Sequence, residues 1–105
     1  MGTSWADHAI AALNRGENIT IRPRGNSMTP RIKSGDPITI SPIEDKARLK
    51  KGDIVLCKVG GRKFCHLISA IEGDGVRFQI SNNHGHVNGW VGPGCIYGKV
   101  TRVGK

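Results

Sequence analysis

The sequence predicts a small, mostly β domain, a twisted barrel or sandwich with one short helix at its N-terminus. Three observations carry this reading. Helical spacing of apolar residues is confined to the first 16 positions. Beyond them, six short runs rich in Val, Ile and Thr follow one another. Between those runs fall most of the 15 Gly and 5 Pro residues, in the manner of turns between strands rather than of a flexible linker. Strands in succession, without intervening helices, argue against a βαβ sheet.

The elements follow in order. Trp5, Ala9, Ala12 and Leu13 share one helical face. Ser4 with Asp7 three positions on has the form of a capping box, and Gly16 is a stop signal, so a helix is expected over Trp5–Arg15. Strands are expected at Asn18–Arg22, Pro37–Ser41, Asp53–Val59, Lys63–Ile71, Val76–Ile80 and Ile96–Val103. Gly60-Gly61 and Gly73-Asp74-Gly75 read as tight hairpin turns, which makes Asp53 to Ile80 a meander. Ile32-Lys33-Ser34-Gly35-Asp36-Pro37-Ile38 echoes Leu49-Lys50-Lys51-Gly52-Asp53-Ile54-Val55. The 17-residue interval is too short for a solenoid repeat, so the echo reads as one strand-entry turn used twice. No composition shift divides the chain. Its 105 residues read as one domain, with residues 1–16 the helix and 17–105 the β part.

Composition excludes several functions. No apolar run approaches the ~20 residues of a membrane span, and Met1 to Ala12 lacks the layout of a secretory signal. A cytoplasmic protein without membrane contact is expected. Cys57, Cys65 and Cys95 are odd in number and form no CxxC pair, which points to reduced thiols. His84 and His86 form an H-x-H, but the spacings of structural zinc sites are missing, so no metal and no cofactor are expected. Val91-Gly92-Pro93-Gly94 lacks G-K-[ST] and opens no helix, so it is not a phosphate loop. Sixteen Lys and Arg against 8 Asp and Glu give a net charge of +8. Lys46, Arg48, Lys50 and Lys51, with Arg22, Arg24 and Arg31, form a candidate face for nucleic acid or an acidic protein partner. No aromatic stacking pattern and no helix-turn-helix accompany them.

The chemistry concentrates at Arg24-Gly25-Asn26-Ser27-Met28-Thr29-Pro30. A Ser on a Gly/Pro turn after a strand exposes its hydroxyl and aims nearby N–H groups at one point, as a nucleophile and oxyanion hole require. With Ile32 and Gly35-Asp36 this segment reads G-x-S-M-x-P-x-I-x-x-G-D, which resembles the serine-nucleophile box of the LexA repressor and signal peptidase superfamily. Gly52-Asp53-Ile54-Val55 resembles the G-D-I-V strand of that superfamily. Phe64-Cys65-His66-Leu67-Ile68 falls where it carries its general base. Ser81-Asn82-Asn83 and Ile96-Tyr97-Gly98-Lys99-Val100 are similar to its late G-D-N loop and closing strand. The resemblance runs from about Ile19 to Val103.

The resemblance implies a soluble serine endopeptidase with a small, twisted β fold. Ser27 would be the nucleophile and His66 the general base, where many relatives have Lys and the endoplasmic reticulum signal peptidases have His. An imidazole is largely neutral at pH 7 and suits the role. The N–H groups of Ser27 and the Asn26 region would hold the oxyanion. Met28 and Pro30 would lie next to the substrate, a peptide or protein bound as an extended strand. His-type relatives orient the imidazole with an Asp in the late loop. This loop has none, which leaves Asn82, Asn83, Asn88 or Asp36. Cys65 is set aside as nucleophile, because adjacent strand residues point to opposite faces. The alternative to a peptidase is a member of the fold that lacks catalysis and uses the basic face as a binding module.

Overall fold

A computed structural model describes residues 5–25, 28–73 and 76–104. It contains one helix, α1 (Trp5–Asn14), and seven strands: β1 (Ile19–Ile21), β2 (Ile38–Ser41), β3 (Ile54–Val59), β4 (Arg62–Glu72), β5 (Arg77–Ser81), β6 (Val87–Val91) and β7 (Ile96–Val103). The strands form one antiparallel sheet in the order β1-β2-β7-β3-β4-β5-β6. The fold is mostly β with one short helix, as the turn-punctuated sequence predicts.

The helix ends where expected. The Gly16 N–H donates to the Leu13 carbonyl and the Glu17 N–H to the Ala12 carbonyl, both at 3.0 Å, the paired bonds that close a helix C-terminus. Ser4, the proposed cap, lies outside the described residues, as do Asp74 and Gly75 of the second hairpin turn. The first hairpin joins β3 to β4 through Gly60-Gly61, with Val59 opposite Arg62. The two Gly-Asp turns are built alike. Asp36 Oδ2 accepts from the Lys33 N–H at 3.0 Å and Asp53 Oδ2 from the Lys50 N–H at 2.9 Å. In each turn the Asp N–H returns to the carbonyl of that same Lys. Gly35 and Gly52 occupy the third position with φ of 86° and 97°, where a side chain would be strained.

Alternation along the strands separates two cores. On one face Ile54, Leu56 and Cys65 pack with Ile38, Ile40, Met28, Ile32 and the helix residues Ala9 and Leu13. On the other Val55, Cys57 and Ile68 pack with Phe78, Ile80, Val91 and Ile96. The sheet coils so that β6 also touches β3.

One strand departs from what the sequence predicts. The pattern gives a loop over residues 81–90, yet Val87–Val91 is β6, paired to β5. Asn88 and Gly89 disguise it, since both residue types are poor strand formers. Gly89 has a tertiary reason: a Cβ there would stand 3.0 Å from Val59 Cγ1, so its absence lets β6 close against β3.

Candidate functional site

The site is built on β4. Phe64, His66 and Ile68 occupy alternate positions of this strand, and His66 faces Val55 across the β3 ladder. Only 7% of His66 is exposed. The Phe64 ring stacks on the imidazole with centroids 4.8 Å apart, and the Arg62 guanidinium lies over the Phe64 ring, 5.7 Å from its centroid.

His66 Nδ1 lies 2.6 Å from Asn88 Oδ1. An amide oxygen only accepts, so Nδ1 carries the proton and donates it. In the neutral ring Nε2 is then the basic nitrogen. Asn88 reaches the ring because of a bulge: Ile80 pairs with Gly89 and Ser81 with Val87, which leaves Asn88 as the extra residue on β6. A bulge re-aims a side chain in this way. Burial lowers the His66 pKa below its ordinary value, the Asn88 hydrogen bond opposes this, and the positive charge that His86 can carry adds to the lowering.

The other residues expected to orient the imidazole are engaged elsewhere. Asn82 Oδ1 accepts from the His84 and His86 N–H groups and shapes the turn between β5 and β6. Asn83 Nδ2 donates to the Thr29 carbonyl at 2.8 Å. The Asp36 carboxylate is held in its turn. His84 Nε2 also lies 3.2 Å from Thr29 Oγ1, so the β5–β6 turn grips the segment that follows Ser27 at two points.

A cleft of about 160 Å³ opens beside His66. Gly25 and Met28 line it from one side, with Lys63, Phe64 and Cys65 on the β4 side. Asn26 and Ser27, the expected oxyanion and nucleophile positions, lie outside the described residues. Their chain neighbours on either side, Gly25 and Met28, share the cleft with His66. Met28 is buried. Pro30 is exposed, and the cleft lining does not include it. The wall carrying Gly25 is pinned by two bonds, Gly25 N–H to Ser34 Oγ at 3.1 Å and Gly35 N–H to the Pro23 carbonyl at 2.8 Å. The first Gly-Asp turn thus positions the cleft. The sequence marks Arg24 as a basic residue flanking the Ser box and Phe64 as sharing the strand face of His66, whereas Lys63 carries no signal there beyond its register on β4.

Cys57 and Cys65 are buried and unsuited to nucleophilic work. Cys65 packs with Leu56 in the helix-side core, and burial pushes its thiol up to about 12. The basic run is divided: Lys46 Nζ donates to the Pro93 carbonyl at 2.6 Å, whereas Lys50 and Lys51 are exposed beside Gly52. Among the described residues no group of three or more His, Cys, Asp or Glu is placed to hold a metal ion. No described helix is long and apolar enough to cross a membrane.

A family model described as Peptidase S24-like matches residues 4–93, which include every cleft residue named above. No curated protein matches the chain.

Proposed function

The chain belongs to the Peptidase S24-like family, and from that membership we propose that it is a serine endopeptidase acting through Ser27 and His66. The observation that carries the reading is the buried His66–Asn88 pair, which leaves Nε2 basic at the wall of a cleft shared with Gly25 and Met28. In the proposed reaction His66 Nε2 accepts the Ser27 hydroxyl proton as Oγ attacks the scissile carbonyl. Backbone N–H groups at Ser27 and Asn26 stabilise the oxyanion. The tetrahedral intermediate expels the amine, which takes the proton from His66, and an ester on Ser27 remains. Water then attacks the ester, giving its proton to His66; the C–Oγ bond breaks, the new carboxyl end of the peptide leaves, and His66 returns the proton to Ser27 Oγ.

The strand edge beside the cleft suits an extended substrate. β5 pairs with β4 only from Leu67 onward. The Arg62–His66 stretch is paired with β3 on one side, and among the described residues no strand pairs its other side. An extended peptide gains backbone hydrogen bonds at such an edge. Asn88 fixes the ring but brings no negative charge, so imidazolium is stabilised less than beside a carboxylate.

The test is reaction with a serine-directed fluorophosphonate, together with peptide cleavage, for the wild type, Ser27→Ala and His66→Ala. The reading expects an adduct on Ser27 and cleavage that both substitutions abolish. No adduct and no cleavage above the variants between about pH 6 and 9 would overturn it.

A further inference from the structure

The cleft carries charge of one sign. Arg24 on one wall and Lys63 on the other line it beside His66, and its described lining includes no carboxylate. The surrounding turns extend this sign. Arg31 donates from its guanidinium to the Gly52 carbonyl at 3.3 Å, next to the exposed Lys50 and Lys51. The acids of the same turns are directed away from the cleft lining: Asp36 accepts from the Lys33 N–H, and Asp53 accepts from the Lys50 N–H and lies 3.5 Å from Lys99 Nζ. Among the described residues Arg24 has no ion-pair partner.

One carboxylate from outside the lining pairs with a cleft residue. Asp7 Oδ1 of α1 lies 3.0 Å from Lys63 Nζ, with the two side chains 47% and 30% exposed. An ion pair this solvated is weak and open to exchange. It also displays the chemistry that Lys63 accepts.

We propose that the cleft selects an acidic peptide, whose carboxylates flank the bond presented to His66, one taking the place of Asp7 at Lys63 and another meeting Arg24. The inference rests on the peptidase reading only for the bond that is cut; the charge selection is a property of the cleft. A peptide fits better than a nucleic acid. The open edge of β4 accepts an extended backbone, and the two aromatic rings in the described lining, Phe64 and His66, are stacked on each other. Single strands of nucleic acid need exposed rings on which bases stack.

The experiment measures binding by fluorescence anisotropy to Ser27→Ala, with cleavage by the wild type in parallel. The probes are a labelled peptide with Asp and Glu on both sides of a central small residue, the same peptide with Asn and Gln in their place, and a single-stranded oligonucleotide of equal charge. The acidic peptide is expected to bind more tightly than its amide counterpart. Arg24→Gln and Lys63→Gln each lower that affinity by about two- to fivefold, and Asp7→Asn raises it by a similar factor. Equal binding of the two peptides, or affinities unmoved by Arg24→Gln and Lys63→Gln, overturns the proposal. So does tighter binding of the oligonucleotide than of the acidic peptide. Preference for the acidic peptide without any cleavage upholds the charge selection and removes the peptidase reading. Cleavage of both peptides alike upholds the peptidase and removes the selection.

Discussion

His66 donates its Nδ1 proton to Asn88 Oδ1 at 2.6 Å, and that bond leaves the basic lone pair of the neutral ring on Nε2. A neutral amide performs the orienting half of the task that a carboxylate performs elsewhere, without the charge. Asn88→Ala removes the acceptor and leaves a buried N–H unpaired. In the proposed enzyme kcat then falls by about 100-fold or more. Asn88→Asp keeps the geometry and adds a negative charge beside the ring. That charge raises the His66 pKa and stabilises imidazolium, so kcat rises by at least about tenfold, while the acid limb of the rate profile moves to higher pH. Steady-state rates against pH for the three proteins check both directions. A rate profile that does not move in Asn88→Asp would show that His66 is not the base.

Stability should depend on pH from both sides. Burial holds the His66 pKa below the 6.5 of an ordinary imidazole. Between the folded value and 6.5 the unfolded chain binds the extra proton. Stability therefore falls as pH drops below 6.5. The thiols act in the opposite window. Cys57 and Cys65 are raised from 9.0 to about 12, so between those values the folded chain keeps protons that the unfolded chain has lost. Stability falls as pH rises above 9. Urea unfolding from pH 5 to 11 should show a maximum between these limbs, and His66→Gln should flatten the acid side.

The thiols also make a chemical prediction. A group raised to about 12 is thiolate at pH 8 to only about one part in 10,000, and the thiolate is the reactive form. Cys57 and Cys65 are buried whereas Cys95 is partly exposed. Iodoacetamide at pH 8 should alkylate Cys95 in the folded protein and all three cysteines in urea. Mass mapping of the labelled peptides checks this. Rapid labelling of native Cys65 would contradict the packing around it.

Legibility in the sequence followed the range of the forces involved. The helix end at Gly16, the paired Gly-Asp turns and the Gly60-Gly61 hairpin are decided within a few residues, so local pattern was enough. β6 was read as a loop because its reasons are distant: Gly89 is required by Val59, thirty positions earlier, and pairing to Ile80 and Ser81 overrides the weak strand propensity of Asn88. The same distance explains why four residues remained open as partners of His66. Choosing Asn88 requires knowing that a bulge turns it toward β4. Lys63 and Arg24 escaped notice as a pair because they meet across a cleft that only folding creates.

Gly98, in the closing strand, shows how a residue chosen for packing positions the helix against the sheet. A Cβ there would lie 2.7 Å from both Ile40 Cγ2 and Leu13 Cδ1, and 3.0 Å from the Ser41 carbonyl oxygen. Leu13 belongs to α1 and Ile40 to β2, and both are core residues. The missing side chain is what lets α1 settle over β2 and β7. Gly98→Ala must push at least one of these groups aside, and the Ser41 carbonyl is held by the backbone. The expected loss is about 1–3 kcal/mol, typical of an overpacked core, measured as a lower urea midpoint with an unchanged slope. Leu13→Ala clears one of the two closest atoms but leaves Ile40 and the carbonyl in place. Leu13→Ala is itself destabilising, because Leu13 is a core residue, but the double variant should lose less than the sum of the two single losses, so the two substitutions are non-additive. A Gly98→Ala protein as stable as the wild type would mean that α1 does not sit this close to β7.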